Sequence, residues 1–204
     1  MESKPGPGHG GPGHGEPGHG EPGHVHGERY GGGPERLRSP ERLALLEIPR
    51  VVDLCVDGIH ARRALDVGTG TGLFAEAFAA RGLAVTGIDP NPSLLEVARR
   101  TVPGVTFEAG TAEKLSCADG AFDLVMLSQV LHETDDPVTA LAEARRAARL
   151  RVCVLEWPHV DEDKGPPLAH RLRPSEIEAF ARRAGFSSVQ RTDLEHMQLY
   201  RLTP

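Results

Sequence analysis

The residues in this chain best placed to do chemistry are two carboxylates and three glycines. Asp66 is followed by Gly68, Gly70 and Gly72 in the run Ala64-Leu-Asp-Val-Gly-Thr-Gly-Thr-Gly72, and Asp89 stands further on at the end of a second apolar run. Alternate glycines suit a turn that needs positive φ and a backbone that a ligand must approach closely. A helix starting directly after them offers backbone N–H groups with no partner inside the helix. A carboxylate closing the next strand can accept both hydroxyls of a ribose. Together these groups, with Thr69 inside the turn and Pro90 after the second acid, could cradle a nucleoside.

The elements that must position them are legible on either side. Residues 64–67 read as a short apolar strand, residues 73–78 take up helical spacing, and residues 84–88 read as a second strand that delivers Asp89. Strand, glycine turn, helix and strand in that order belong to an open α/β sheet, in which ligands sit beyond the carboxyl ends of the strands.

Two kinds of nucleotide compete for such a corner. The dinucleotide fingerprint requires Gly or Ala at the sixth position of G-x-G-x-x-G, whereas Gly68 and Gly70 place Leu73 there. Asp66 would also repel the pyrophosphate of NAD. S-adenosylmethionine carries an ammonium and a sulfonium instead, and a buried carboxylate can bind its amino end directly or through water. Acid-x-Gly-x-Gly-x-Gly followed by a ribose-binding Asp resembles the first two motifs of the class I S-adenosylmethionine-dependent methyltransferases.

Further segments resemble the ubiquinone- and menaquinone-biosynthesis type of that class, the methyltransferase type 11 family. Gly110-Thr-Ala-Glu-Lys-Leu115 matches a G-[DT]-A-E-x-L segment that holds the adenine. The resemblance implies that Thr111, Ala112 and Glu113 frame the base; alternatively Glu113 is only an acid at a helix start. Residues 118–127 resemble the family's fourth strand, and Ser128-Gln-Val-Leu-His-Glu-Thr-Asp-Asp-Pro137 its short helix, His and D-P pair. Ser128, Gln129, His132 and Glu133 then lie nearest a methyl acceptor. His132 can take a proton from an acceptor hydroxyl or amine, or hold its loop through a backbone hydrogen bond. The family's L-K-P-G-G turn is missing, because residues 147–151 run straight into a fifth strand at 152–156. Trp157 after it either walls the acceptor pocket or packs under a loop.

The remaining elements follow from caps and periodicity. Ser39, Pro40 and Glu41 predict a helix start, with Leu43, Leu46, Val51 and Leu54 as its apolar face and an interruption at Pro49. This helix either covers the cofactor or packs on the sheet edge. Asn91 and Pro92 open a helix, and residues 138–149 form another. Residues 158–173 read as a loop that can act as a lid, residues 175–184 as a helix closed by Gly185, and 186–191 with 196–201 as a terminal hairpin. The resemblance runs from Ser39 to the end. It implies a Rossmann-like, seven-stranded, mostly parallel sheet with one antiparallel strand and helices on both faces. It implies methyl transfer to a small molecule, since the D/N-P-P-[YFW] signature of base amino methylation is absent. A nicotinamide-dependent oxidoreductase, or a metal-handling or regulatory protein on the same fold, are the competing readings.

Composition sets the outer bounds. The chain has 204 residues with a formal net charge of −6, enough for one domain at 39–204 and unsuited to indiscriminate binding of nucleic acid or anionic lipid. Residues 1–38 are a Gly/Pro/His-rich tail in which PGHGG, PGHGE, PGHGE and PGHVH follow one another, a composition expected to be disordered. His9, His14, His19, His24 and His26 lie on this tether and could ligate zinc, nickel or copper. Cys55, Cys117 and Cys153 lack C-x-x-C spacing and read as reduced structural thiols. No apolar run reaches the roughly 20 residues of a membrane helix, and no signal core opens the chain. A soluble cytoplasmic protein is expected.

Overall fold

The computed structural model describes residues 1–2 and 33–204. The tail histidines His9, His14, His19, His24 and His26, and the disorder expected around them, lie outside the described residues.

Seven strands form one sheet: β1 (Arg63–Val67), β2 (Ala84–Asp89), β3 (Thr106–Ala109), β4 (Phe122–Ser128), β5 (Ala148–Glu156), β6 (Ser188–Asp193) and β7 (Gln198–Thr203). Their order is β3-β2-β1-β4-β5-β7-β6, and β7 runs antiparallel to both its neighbours while the other pairs are parallel. The chain winds outward from β1 through β2 to β3, then crosses back to β4. The carboxyl ends of β1 and β4 therefore meet at the switch point where such sheets bind ligands. β4 carries Leu124, Val125, Met126 and Leu127, all fully buried, as a central parallel strand covered on both faces requires.

Each face packs against its own helices. On one face α3 (Ile48–Val56), α4 (Leu73–Ala80) and α5 (Pro92–Thr101) cover a core with Val52, Phe74, Phe78, Leu95, Met126 and Leu155. On the other, α6 (Pro137–Ala147) and α7 (Pro174–Arg183) cover Leu65, Val67, Leu127, Leu141, Val154 and Ile177. Two short helices precede these, α1 (Pro34–Leu37) and α2 (Pro40–Leu46).

Caps fix the starts of the helices. The Ser39 hydroxyl accepts from Arg42 N–H, Asn91 Oδ1 from Ser93 and Leu94 N–H, and Asp136 Oδ1 from Val138 and Thr139 N–H. Each such cap contributes about 1 kcal/mol. Pro40, Pro92, Pro137 and Pro174 follow the caps, at a position where the missing N–H is not needed.

Several boundaries differ from the sequence reading. Pro34–Leu37 is a turn of helix, although the tail expected to be disordered ran to residue 38. The first helical segment breaks at Glu47, in the left-handed region at φ 43°, and Pro49 sits harmlessly in the first turn of α3. That break rotates the apolar face: Leu43 is 40% exposed, whereas Val52 and Cys55 are fully buried. β5 begins at Ala148, with no loop after α6. The hairpin strands start two residues later than expected because Phe186 N–H still bonds Ala181 O and its ring is buried in the core.

Candidate active site

The glycine turn leaves β1 with Gly68, Gly70 and Gly72 at φ +65°, +54° and +84°. Positive φ alone would favour glycine, and close packing adds to it: a Cβ on Gly68 would stand 2.3 Å from Val130 Cγ2. Asp66 sits beneath the turn, 1% exposed. Its Oδ2 accepts from the Thr69 hydroxyl at 2.6 Å and from Ala75 N–H, in the first turn of α4, at 3.1 Å. Asp66 thus ties the turn to the helix, a local role that the spacing did not reveal. Both donors are uncharged. Burial raises the Asp66 carboxyl to about 7 despite these two hydrogen bonds.

Asp89 closes β2 and binds backbone on either side, with Oδ2 accepting from Gly70 N–H at 2.8 Å and Oδ1 from Asn91 N–H at 2.8 Å. It too is raised, mainly by burial. A carboxylate has about four lone-pair sites, so two remain for a ligand's hydroxyls. Among the described residues, Thr71 Oγ1 is buried without a hydrogen-bond partner. An orphaned hydroxyl in the turn and a buried acid facing no cation suit a guest with both polar and cationic groups.

These residues line a cleft of about 1120 Å³. Sites for drug-sized ligands span roughly 300–1,000 Å³, so the cleft has room for a nucleoside cofactor and an acceptor together. Asp66, Gly68, Thr69, Gly70, Asp89, Pro90, Thr111, Ala112, Glu113, Ser128 and His132 all lie in its wall. Gly72 lies behind it, where a Cβ would be 3.0 Å from the Phe107 ring. The segment 111–114 is a turn closed by a bridge between Thr111 and Lys114, which removes the helix-start alternative for Glu113. Glu113 Oε1 instead accepts from Asp135 N–H at 3.2 Å.

Sequence reasoning left open whether the first helices cover the cleft or pack on the sheet edge. They divide the two tasks: α1 and α2 line the cleft, while α3 packs on α4. Arg38 donates to Thr71 O at 2.7 Å and to Glu76 at 2.9 Å, clamping this cover onto the glycine turn.

At the acceptor end, Gln129 adopts φ +58°, a strained conformation for a non-glycine residue, held by its N–H to Leu155 O at 2.7 Å. Its side chain accepts from Arg42 and donates to Met197 Sδ. His132 does not bond backbone, as one reading had it. Its Nδ1 lies 2.8 Å from Oε2 of Glu156, the last residue of β5. Glu156 is 1% exposed and also accepts from the backbone N–H of His132 and Trp157. Burial alone would lower the His132 pKa, but attraction to Glu156, the hydrogen bond to it and the nearby Glu133 together raise it. Glu156 escaped the sequence reading because nothing at its own position signals a partner on another segment.

Trp157 resolves as both alternatives at once, 4% exposed and part of the cleft wall. Arg171 lies over its ring at 5.3 Å. That arginine is 2% exposed and donates to Pro158 O, Pro166 O and Lys164 O while pairing with Glu162 at 2.6 Å. It staples the loop 158–171 over the cleft, a second residue the sequence did not single out.

Comparison with known proteins agrees with this fold. Residues 65–151 match the family described as methyltransferase domain. A demethylmenaquinone methyltransferase of Renibacterium salmoninarum is 37% identical over 112 residues, 54% of this chain and 47% of that protein. A ubiquinone biosynthesis O-methyltransferase of Alkalilimnicola ehrlichii is 38% identical over 100 residues, 47% of this chain and 40% of that protein. The crystal structure of a SAM-dependent methyltransferase from Aquifex aeolicus superposes with a TM-score of 0.73 at 21% identity, covering 83% of this chain and 95% of that one. The matched segment spans less than half the length of these two curated relatives. The fold is that of the S-adenosylmethionine-dependent methyltransferases of known structure. Within that fold, residues 65–151 are similar to the methyltransferase domain.

Proposed function

We propose that this protein transfers the methyl group of S-adenosylmethionine to a small-molecule acceptor. The observation that carries the reading is Asp66, buried beneath the glycine turn, raised to about 7 and, among the described residues, bonded only to uncharged donors. An ammonium group in the cleft would favour its ionised form; a pyrophosphate would not. Gly68, Thr69, Gly70 and Gly72 shape the turn around the amino-acid part. Asp89 and Pro90 take the ribose, Thr111, Ala112 and Glu113 the adenine, and Ser128 stands between cofactor and acceptor.

When bound, the cofactor supplies a methyl group already activated by its sulfonium. The chain's own work is alignment of an acceptor at about 3 Å and exclusion of water, which together account for a large part of such a barrier. The cover formed by α1 and α2 and the loop held by Arg171 both line the cleft and exclude water from it. His132 in the wall is the side chain suited to receive an acceptor proton. No side chain is needed as a covalent nucleophile.

Incubating the protein with methyl-tritiated cofactor and a cell extract tests the reading. Label in the small-molecule fraction is the expected result. Label confined to protein or nucleic acid, or no transfer, would overturn it. The repeat at His9, His14, His19, His24 and His26 supports a separate capacity of the tail to take up nickel, zinc or copper. Removing residues 1–30 should abolish that uptake; unchanged uptake would place the metal elsewhere.

A further inference from the structure

We infer that Glu156 is the positioning residue of a His132–Glu156 pair that acts as the proton acceptor for an acceptor hydroxyl, so that the methylated atom is oxygen. This rests on the methyl-transfer reading and specifies its substrate class.

The geometry is that of a base held by an acid. Glu156 ends β5, which neighbours β4, and His132 follows β4 in a short 3-10 turn, so the two side chains meet at the sheet's carboxyl rim. His132 Nδ1 is 2.8 Å from Glu156 Oε2, within hydrogen-bond reach. A carboxylate can only accept, so the neutral imidazole carries its proton on Nδ1 and leaves Nε2 bare. Glu133 Oε1 stands 3.8 Å from Nε2, beyond hydrogen-bond distance, and both His132 and Glu133 line the cleft. The charged groups acting on the ring are Glu156 from β5, Glu133 from its own turn and Arg42 from α2, the first two favouring the imidazolium and the last opposing it.

The proton chemistry selects the acceptor. An aromatic amine attacks through a lone pair that it already carries, an aliphatic one can shed its ammonium proton to solvent before it binds, and a thiol ionises near pH 8.5 unaided. A hydroxyl of phenolic acidity, near 10, keeps its proton at neutral pH and benefits from a base. As its oxygen forms the new O–C bond, the C–S bond breaks and its electron pair stays on sulfur. The hydroxyl proton passes to His132 Nε2, and the imidazolium formed is neutralised by Glu156. Products are the O-methyl compound, the neutral thioether nucleoside and one proton, which leaves His132 to solvent.

The test uses the full chain labelled with nitrogen-15, with the Glu156→Gln and Glu156→Asp variants. In the unsubstituted protein the neutral His132 ring should be protonated at Nδ1. In Glu156→Gln its proton affinity should fall about 10-fold, with partial recovery in Glu156→Asp. The acid limb of tritium transfer into extract should move to lower pH in Glu156→Gln with a plateau at least about 10-fold lower, while the affinity for S-adenosylmethionine, measured by calorimetry, stays the same. Chemical cleavage of the labelled product should release an O-methyl group. A neutral ring protonated at Nε2, a His132 proton affinity unmoved by Glu156→Gln, or label on nitrogen, sulfur or carbon would overturn the inference. Should Glu156→Gln fail to fold, the ring protonation in the unsubstituted protein decides alone. Failure of the methyl-transfer reading itself would show as absent cofactor binding, a separate measurement.

Discussion

Asp66 is buried because its neighbours in β1, Leu65 and Val67, must be, and the position would be costly for a carboxylate without compensation. Its folded pKa, about 7, lies above the ordinary 3.8, so the folded state holds a proton that the unfolded chain releases. Stability of the ligand-free protein should therefore fall as pH rises from about 4 to about 7. Asp66→Asn should lose that slope, checked by urea unfolding across this range. The cofactor's ammonium favours the ionised carboxylate, so its affinity should rise with pH up to about 7 and then level off. In Asp66→Asn it should be at least about 10-fold weaker at pH 8, by calorimetry. His132 works in the same sense at higher pH. Its folded pKa lies above 6.5, so its pairing with Glu156 contributes stability below that value and loses it as pH rises through the folded pKa. The acids were legible because their signal is local: Asp66 and Asp89 are fixed by distance from three glycines. Glu156 was not, because its partner is 24 residues away and reached only through the pairing of β4 with β5.

At the scale of elements, the glycine turn and the Arg171 loop make contrasting predictions. Gly68→Ala meets both positive φ and Val130 at 2.3 Å, so it should destabilise by at least about 2 kcal/mol and abolish cofactor binding. Gly82, at φ +85° with open space around it, should cost about 1 kcal/mol on change to Ala and leave binding intact. Thermal unfolding and calorimetry separate the two. Arg171→Ala strips donors from three carbonyls and a carboxylate, so the loop 158–171 should loosen. Trp157, the chain's only tryptophan, reports it: a red-shifted emission is expected, and an unchanged spectrum would contradict the stapling. Strands and capped helices were readable from the sequence because cap, proline and apolar period agree in residues such as Asn91, Pro92 and Leu95. The break at Glu47 was not, because a left-handed glutamate carries no sequence mark and Pro49 drew attention two residues too late.

Across the molecule, the strand order puts the glycine turn, the segment 111–113, His132 and Trp157 on one rim although they span residues 66 to 157. Wall residues of the cofactor corner were readable because motif and fold coincide there. The cover by α1 and α2 and the closure of the loop by Arg171 were less so, since both depend on long-range hydrogen bonds such as Arg38 to Thr71. Among the described residues no helix is long and apolar enough to cross a membrane, and no three His, Cys, Asp or Glu side chains gather as a metal site. What the described residues offer instead is a large cleft in which the buried acid Asp66 awaits a positive charge. Titration of the purified protein by calorimetry, in parallel with S-adenosylmethionine and with NADH at pH 8, puts that charge preference to the proof. One equivalent of S-adenosylmethionine should bind while NADH gives no heat; binding of NADH with none of S-adenosylmethionine would contradict it.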